Sequence, residues 1–137
     1  YRLVELKRFS EALGLPLHLQ PAHFPVPGDN AARLILAVAA RHGSDAAMQL
    51  TGAVLKAVWA EQRNINDAAT LAQLLAACGL PDAATADAQG DAVQQRYDQA
   101  TQEAFDAGVF GAPSYVIDGE IFWGQDRLDF VERRLRA

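Results

Sequence analysis

From Tyr1 to Ala107 the apolar residues recur three and four positions apart, broken by glycine and proline, and this pattern predicts a series of amphipathic helices. In residues 1–13, Leu3, Leu6, Phe9 and Leu13 fall on one face; Gly14 stops the helix and Pro16 prevents its continuation. Residues 15–19 read as a short extended piece. Residues 20–28 contain Pro21, Pro25 and Pro27 and form a loop of restricted backbone freedom that bears His23 and Phe24. Such a loop is either a plain connector or the wall of a pocket. Asp29 or Asn30 caps the next helix, which runs to about His42 with Ala31, Leu34 and Val38 inward. Gly43 ends it, and Ser44 caps a helix that reaches about Arg63. Leu50, Val54, Ala57 and Val58 form its main stripe, widened by Met48, Leu55 and Trp59, which predicts burial on more than one side. Asp67 caps a shorter helix through Cys78, closed by Gly79, and residues 80–90 are small, polar and irregular, with at most one helical turn. A long helix then covers residues 91–107, with Val93, Tyr97, Ala100 and Ala104 on one face and Gly108 as its stop.

Past Gly108 the period changes. Residues 114–117 read as a strand, Asp118 and Gly119 as a two-residue hairpin turn, and residues 120–123 as the returning strand. Gly124 breaks the strand, and Gln125 and Asp126 open a last helix with Leu128, Val131 and Leu135 at helical spacing. Pro113 at the head of the first strand lacks an N–H, which leaves the backbone of Ala112 open to a ligand. Gln125 and Asp126 put an amide and a carboxylate beside the free N–H groups of a helix start. That arrangement suits a zwitterionic amino-acid head, with N–H groups for its carboxylate and Asp126 for its ammonium. It is also what an ordinary N-terminal cap looks like. A two-stranded hairpin is marginal by itself, and the 137 residues contain no convincing partner strands for it.

Composition narrows the function classes. Hydrophobic residues make up 50% and charged ones 21%, a globular balance. The net charge of −5 argues against a nucleic-acid or anionic-membrane partner. With Cys78 as the one cysteine, these residues offer no internal disulfide, no Cys-x-x-Cys and no zinc cluster, and Cys78 is expected to be a small buried hydrophobe. His18, His23 and His42 share no helix face at ligand spacing, so no metal site is expected. Asp126 and Asp129 lie in the first turn of the last helix, where they favour the dipole rather than form an acid–base dyad. No apolar run reaches transmembrane length and the first residues lack a signal-peptide layout, which favours a cytoplasmic protein.

The run Gly108-Val109-Phe110-Gly111-Ala112-Pro113, followed by Asp118-Gly119-Glu120-Ile121-Phe122-Trp123-Gly124-Gln125-Asp126-Arg127-Leu128, resembles the C-terminal signature of the 2-hydroxychromene-2-carboxylate isomerases. These are glutathione-dependent, thioredoxin-fold relatives of the kappa-class glutathione transferases. The likeness extends back through residues 1–8, 13–17, Phe24 and Pro25, and 57–61, so it covers most of the chain. It implies an α/β, thioredoxin-like fold with a large all-helical insertion, mostly helical in this chain, with a C-terminal β-hairpin and a final helix. Residues 1–107 would be the helical insertion domain and residues 108–137 the C-terminal part of the thioredoxin-like domain. Tyr1 matches the entry to the insertion, so the resemblance also implies that the strand–helix–strand unit opening this fold lies upstream of Tyr1.

The same resemblance implies roles. Ala112, ahead of an expected cis Pro113, would pair its backbone with the cysteinyl unit of glutathione. Trp123, Gly124, Gln125 and Asp126 would hold the γ-glutamyl head. An added strand and a charged head at a helix N-terminus make physical sense of both. Tyr1 and Arg8 match an aromatic and a basic position on the organic substrate's side, and an arginine there pairs bidentately with the carboxylate of a small aromatic substrate. The family's serine, hydrogen-bonded to the glutathione sulfur, has no match in Ser10, Ser44 or Ser114. The catalytic group is therefore expected upstream of Tyr1, and these 137 residues alone are expected to be inactive. The implied activity is glutathione-dependent isomerisation of 2-hydroxychromene-2-carboxylate to a trans-benzylidenepyruvate in aromatic degradation. Three alternatives remain. One is a kappa-like glutathione transferase, and another a disulfide-forming oxidoreductase, which needs an upstream Cys-x-x-Cys. The third is a non-catalytic assembly module, such as a homodimer paired through the hairpin edge.

Overall fold

The computed structural model describes residues 1–137. Seven α-helices, one antiparallel hairpin and a short 3-10 turn follow one another along the chain, which divides into two compact units, Tyr1–Gln95 and Arg96–Ala137.

The first unit is helical: α1 (Arg2–Leu13), α2 (Asp29–His42), α3 (Ser44–Trp59), α4 (Ala68–Ala77) and α5 (Ala83–Asp87), together with the first turn of α6 (Asp91–Asp106). Its core is built where the stripes of α2, α3 and α4 meet. Leu34, Ala37 and Val38 come from α2, Leu50, Val54, Ala57 and Val58 from α3, and Leu71, Leu74 and Leu75 from α4. Leu50, Leu75 and Val38 are the largest side chains fully removed from solvent. Ala37 and Ala57 are also fully buried. Residues this small leave room for the larger neighbours to interdigitate at close packing density. Arg41 of α2 and Asp87 of α5 close the rim with a two-pronged contact, Nε to Oδ2 and Nη2 to Oδ1 at 3.1 Å. That hydrogen bond holds the Asp87 carboxyl below its ordinary range. The pair is exposed, so its contribution to stability is small.

Several boundaries and faces differ from the pattern in the sequence. Gly28 and Gly43, rather than Asp29, Asn30 or Ser44, are the N-cap residues of α2 and α3. The third helix stops at Trp59 and not near Arg63. His18 N–H takes the Trp59 carbonyl at 2.7 Å, the acceptor that continuation would have used, and Gln62 adopts φ 53°. Met48 and Leu55 of α3 are exposed, so that helix is buried on one side only. Helix α1 buries none of its residues: Leu3 and Leu13 are exposed, and Leu6 and Phe9 are half-buried. Periodicity identifies an apolar stripe, but it does not say what covers the stripe. Residues 15–19 form no strand, and Cys78 is half-buried as the C-cap of α4 rather than fully enclosed.

In the second unit β1 (Ser114–Ile117) pairs with β2 (Glu120–Trp123) in the register Ser114↔Trp123, Tyr115↔Phe122, Val116↔Ile121, Ile117↔Glu120. The connecting residues have φ 51° at Asp118 and 80° at Gly119, both positive, as the right-handed twist of a two-residue hairpin requires. The last helix does not begin at Gln125. A 3-10 turn, Gln125–Arg127, comes first, and α7 (Leu128–Arg136) follows. Val131 is buried, whereas Leu128 and Leu135 are exposed. Arg134 of α7 reaches back to the hairpin tip, 2.8 Å from Asp118 Oδ2 and 3.5 Å from Glu120 Oε2.

Two outcomes follow for the helical unit. Leu50→Ala removes a fully buried side chain from its centre and should lower stability by about 2–5 kcal/mol in urea unfolding. Asp67 caps α4, accepting from Thr70 N–H and from the Thr70 hydroxyl, each at 3.0 Å, and these bonds hold its carboxyl below the usual value. A carboxylate favoured in the folded state stabilises fully above its unfolded value of about 3.9, and that contribution is lost as pH falls through the lower folded value. Protection of the α4 amides, taken relative to their intrinsic exchange rate at each pH, should therefore fall below about pH 4. Asp67→Asn, which keeps an acceptor oxygen, should flatten that dependence.

Candidate functional site

Residues 109–127 of the second unit bring a backbone edge, two aromatic rings and a polar turn into one short stretch. Ser114 Oγ donates to Gly111 O at 2.6 Å, closing the tight turn that carries Ala112 and Pro113. The Ala112-Pro113 peptide bond is cis, as is Phe24-Pro25 in the first unit. Gly124 N–H donates to the Pro113 carbonyl at 2.9 Å, extending the ladder one step past the strands and setting Pro113 opposite Gly124. Alternation of the ladder then makes Ile117/Glu120 and Tyr115/Phe122 the hydrogen-bonded pairs, so the N–H and C=O groups of Ser114 and Val116 face the outer edge of β1. Ala112 and Pro113 are exposed at the head of that edge, and no protein group accepts the Ala112 N–H.

Two glycines fix the shape of the stretch. A Cβ on Gly111 would stand 2.6 Å from Trp123 Nε1, so the indole lies directly on the glycine backbone. Phe110 meets the same indole edge-on, with ring centroids 5.2 Å apart at 63°. Gly124 has φ 110°, a conformation that L side chains rarely adopt, and a Cβ there would stand 2.5 Å from Asp126 Oδ1. The Asp126 carboxylate thus folds back into the space a side chain at 124 would need.

In the 3-10 turn Arg127 N–H bonds Gly124 O at 3.3 Å, while the Gln125 and Asp126 N–H groups precede any internal acceptor. Asp126 Oδ2 lies 2.8 Å from Arg127 Nη1 in an exposed ion pair, a contact that an incoming ammonium can replace at little cost. The side chain of Gln125 is exposed. A backbone edge at Ala112, an aromatic wall at Trp123 and a carboxylate beside free N–H groups fit an extended peptide with a zwitterionic end. Ala112, Pro113, Trp123, Gly124, Gln125 and Asp126, expected from the sequence as one constellation, are brought together here.

The other two expected residues lie in the first unit. Tyr1 is exposed, and its hydroxyl is 3.5 Å from Arg8 Nη1. Arg8 is already engaged: Nη1 lies 2.5 Å from Glu5 Oε1, and this hydrogen bond raises the guanidinium pKa above its ordinary value. Trp59, read from its helical stripe as a core residue, is half-buried, and its ring lies 4.7 Å from that of Phe24. The sequence signal for Phe24 was the stiff proline loop. Nothing in the spacing tied it to Trp59. No group of three or more His, Cys, Asp or Glu residues is arranged to hold a metal ion. No helix is long and apolar enough to cross a membrane.

Against known proteins the similarities are extensive. The chain is 34% identical over 134 residues to the 2-hydroxychromene-2-carboxylate isomerase of Sphingobium xenophagum, covering 97% of this chain and 66% of that protein. A solved 2-hydroxychromene-2-carboxylate isomerase superposes with a TM-score of 0.75 at 27% identity, covering 97% of this chain and 63% of the other. The cytosolic disulfide reductase DsbM of Pseudomonas aeruginosa shares the fold, with a TM-score of 0.68 at 22% identity over 95% of this chain and 73% of the other. The chain spans 60% to 66% of the length of the curated relatives it matches. Its helices, hairpin and final helix are those of the thioredoxin-like fold as these relatives carry it. Residues 1–136 match the model of the DSBA-like thioredoxin domain, and the chain belongs to that family.

Proposed function

We propose that this chain supplies the glutathione-holding hairpin and helical unit of a glutathione-dependent isomerase acting on 2-hydroxychromene-2-carboxylate-type substrates in aromatic degradation, in the cytoplasm where glutathione is abundant. The observation that carries the reading is the joint at the hairpin base. Gly124 N–H bonded to Pro113 O at 2.9 Å holds the Ala112 edge and the Gln125–Arg127 turn at a fixed separation, as one extended peptide with a charged end needs. The isomerase names of the curated relatives, over 96% to 97% of this chain, support the reaction class.

Under this reading the chain's own residues bind and orient. The Ala112 N–H and C=O align the tripeptide as an added strand. Asp126 takes the ammonium of the γ-glutamyl head, the free N–H groups of Gln125 and Asp126 take its carboxylate, and the Gln125 amide adds a polar contact. Trp123, packed on the Gly111 backbone, walls the side of the γ-glutamyl head. Glutathione, when bound, supplies a thiol whose transient addition lets a former double bond rotate before the thiol is released. Orientation of the two reactants is the protein's share of the catalysis. Thiol–disulfide exchange gains no support from these residues, since Cys78 is single and half-buried.

Calorimetric titration with glutathione tests the site. Asp126→Ala should weaken binding roughly ten- to hundredfold, the scale of one lost hydrogen bond to a charge. Gly124→Ala should also weaken it, because the new methyl displaces the Asp126 carboxylate. Unchanged affinity in Asp126→Ala sinks the assignment. For the reaction, turnover of 2-hydroxychromene-2-carboxylate by the whole protein should rise and saturate with glutathione. Turnover independent of glutathione excludes the mechanism.

A further inference from the structure

The tip of the hairpin joins an aspartate to a glycine, and Asp118-Gly119 is the one place in the chain where Asp or Asn precedes Gly. Three features leave the Gly119 nitrogen free to attack the side chain before it. Its N–H is accepted by no protein group. A glycine carries no side chain to shield the nitrogen, and beyond its chain neighbours no atom stands within 4 Å of where a Cβ would be. The Asp118 side chain is 72% exposed. The turn also lies at the end of the ladder, outside the Ile117↔Glu120 pair, so it opens locally without breaking the other strand pairs. Opening releases both residues from their positive φ angles and gives the side chain room to swing onto the backbone.

One contact opposes that swing. Arg134 Nη2 of α7 donates to Asp118 Oδ2 at 2.8 Å, and Arg134 Nε lies 3.5 Å from Glu120 Oε2. The guanidinium thus spans the turn, with a carboxylate from either side of Gly119. A charge-assisted hydrogen bond fixes the Asp118 carboxylate in one orientation, and Cγ must leave it before it can meet the Gly119 nitrogen. The pair is exposed, so the restraint is partial.

We propose that Asp118-Gly119 is a site of spontaneous backbone isomerisation to isoaspartate, and that Arg134 sets its rate. The Gly119 nitrogen gives up its proton and bonds to Asp118 Cγ; one carboxyl oxygen departs as water, leaving a cyclic succinimide. Water then reopens the ring. Attack at Cγ restores aspartate, whereas attack at the backbone carbonyl carbon leaves the chain running through Cβ and Cγ. One water is lost and one regained, and nothing is oxidised or reduced, so the mass is unchanged. The main chain gains an atom at the turn, which no longer matches the register of a two-residue hairpin. The carboxylate left behind sits directly on Cα, one bond closer to the main chain than the one Arg134 grips. Neither residue belongs to the proposed glutathione site and the reaction needs no ligand, so this modification stands or falls apart from the isomerase reading.

Ageing of the full chain at neutral pH, followed by peptide mapping, tests both halves. An endoproteinase that cuts before aspartate spares isoaspartate, and electron-transfer fragmentation locates the altered bond. Isoaspartate should accumulate at position 118 well ahead of every other aspartate. Arg134→Gln should speed this severalfold, and Arg134→Lys, which keeps a charge, should return part of the restraint. Arg136→Gln, on the same helix but paired with Glu132, should leave the rate as it was. Asp118→Asn keeps a residue suited to the turn and should lose ammonia through the same ring, seen as a gain in mass. No isoaspartate at 118, accumulation no faster than at the other aspartates, or an unchanged mass in Asp118→Asn overturns the site. An unchanged rate in Arg134→Gln, or an equal acceleration in Arg136→Gln, overturns the role of the Arg134 contact.

Discussion

The hairpin is held at its base by a backbone bond that neither strand contains. Gly124 donates to the carbonyl of Pro113, one step beyond the last strand pair, and the glutathione site proposed at the hairpin hangs on that step. On one side of it the chain runs back through Ala112 into the Gly111 turn, and on the other it runs forward into the 3-10 turn of Gln125 and Asp126. A proline suits the acceptor position because its carbonyl is used while its missing N–H is not required. A glycine suits the donor position because φ 110° and the folded-back Asp126 carboxylate leave no space for a side chain. The two residue types that punctuate the sequence here are thus both consequences of one contact.

The helical unit follows a different constraint, that of volume. Alanines at 37 and 57 lie fully buried beside Leu50, Leu75 and Val38, so close approach of α2 and α3 rests on small residues as much as on large ones. No polar or charged residue is fully buried, and Arg33, whose Nε is enclosed, is held by part-buried hydrogen bonds to Asn30 and Gln94.

Much of this was legible in the residues. Glycines and prolines marked the helix ends, Asp67 announced a cap that the structure forms, and Asp118-Gly119 between alternating residues gave the hairpin with its turn. The site stretch was readable because its members are neighbours in sequence, within 112–126. What escaped depends on contacts between distant positions. The end of α3 is set by a His18 amide 41 residues away in sequence from the Trp59 carbonyl that it takes (59 − 18 = 41). The pairing of Phe24 with Trp59, and of Arg8 with Glu5, depend likewise on how the helices fold together and on side-chain choice, which periodicity does not encode. Helix α1 is the plainest case, since its stripe is regular and nothing in its own unit buries it.

The placement of the two tryptophans has a practical side. Trp59 stands beside Phe24 in the first unit, and Trp123 lies on the Gly111 backbone in the second, so each unit carries its own indole. Both indoles are partly open to water, the condition in which emission colour and quenching respond to what settles nearby. The molecule is in effect labelled twice by nature. Replacing either indole by phenylalanine would leave a single-colour reporter for one unit, so that events at the helices and at the hairpin can be followed apart without attaching any dye.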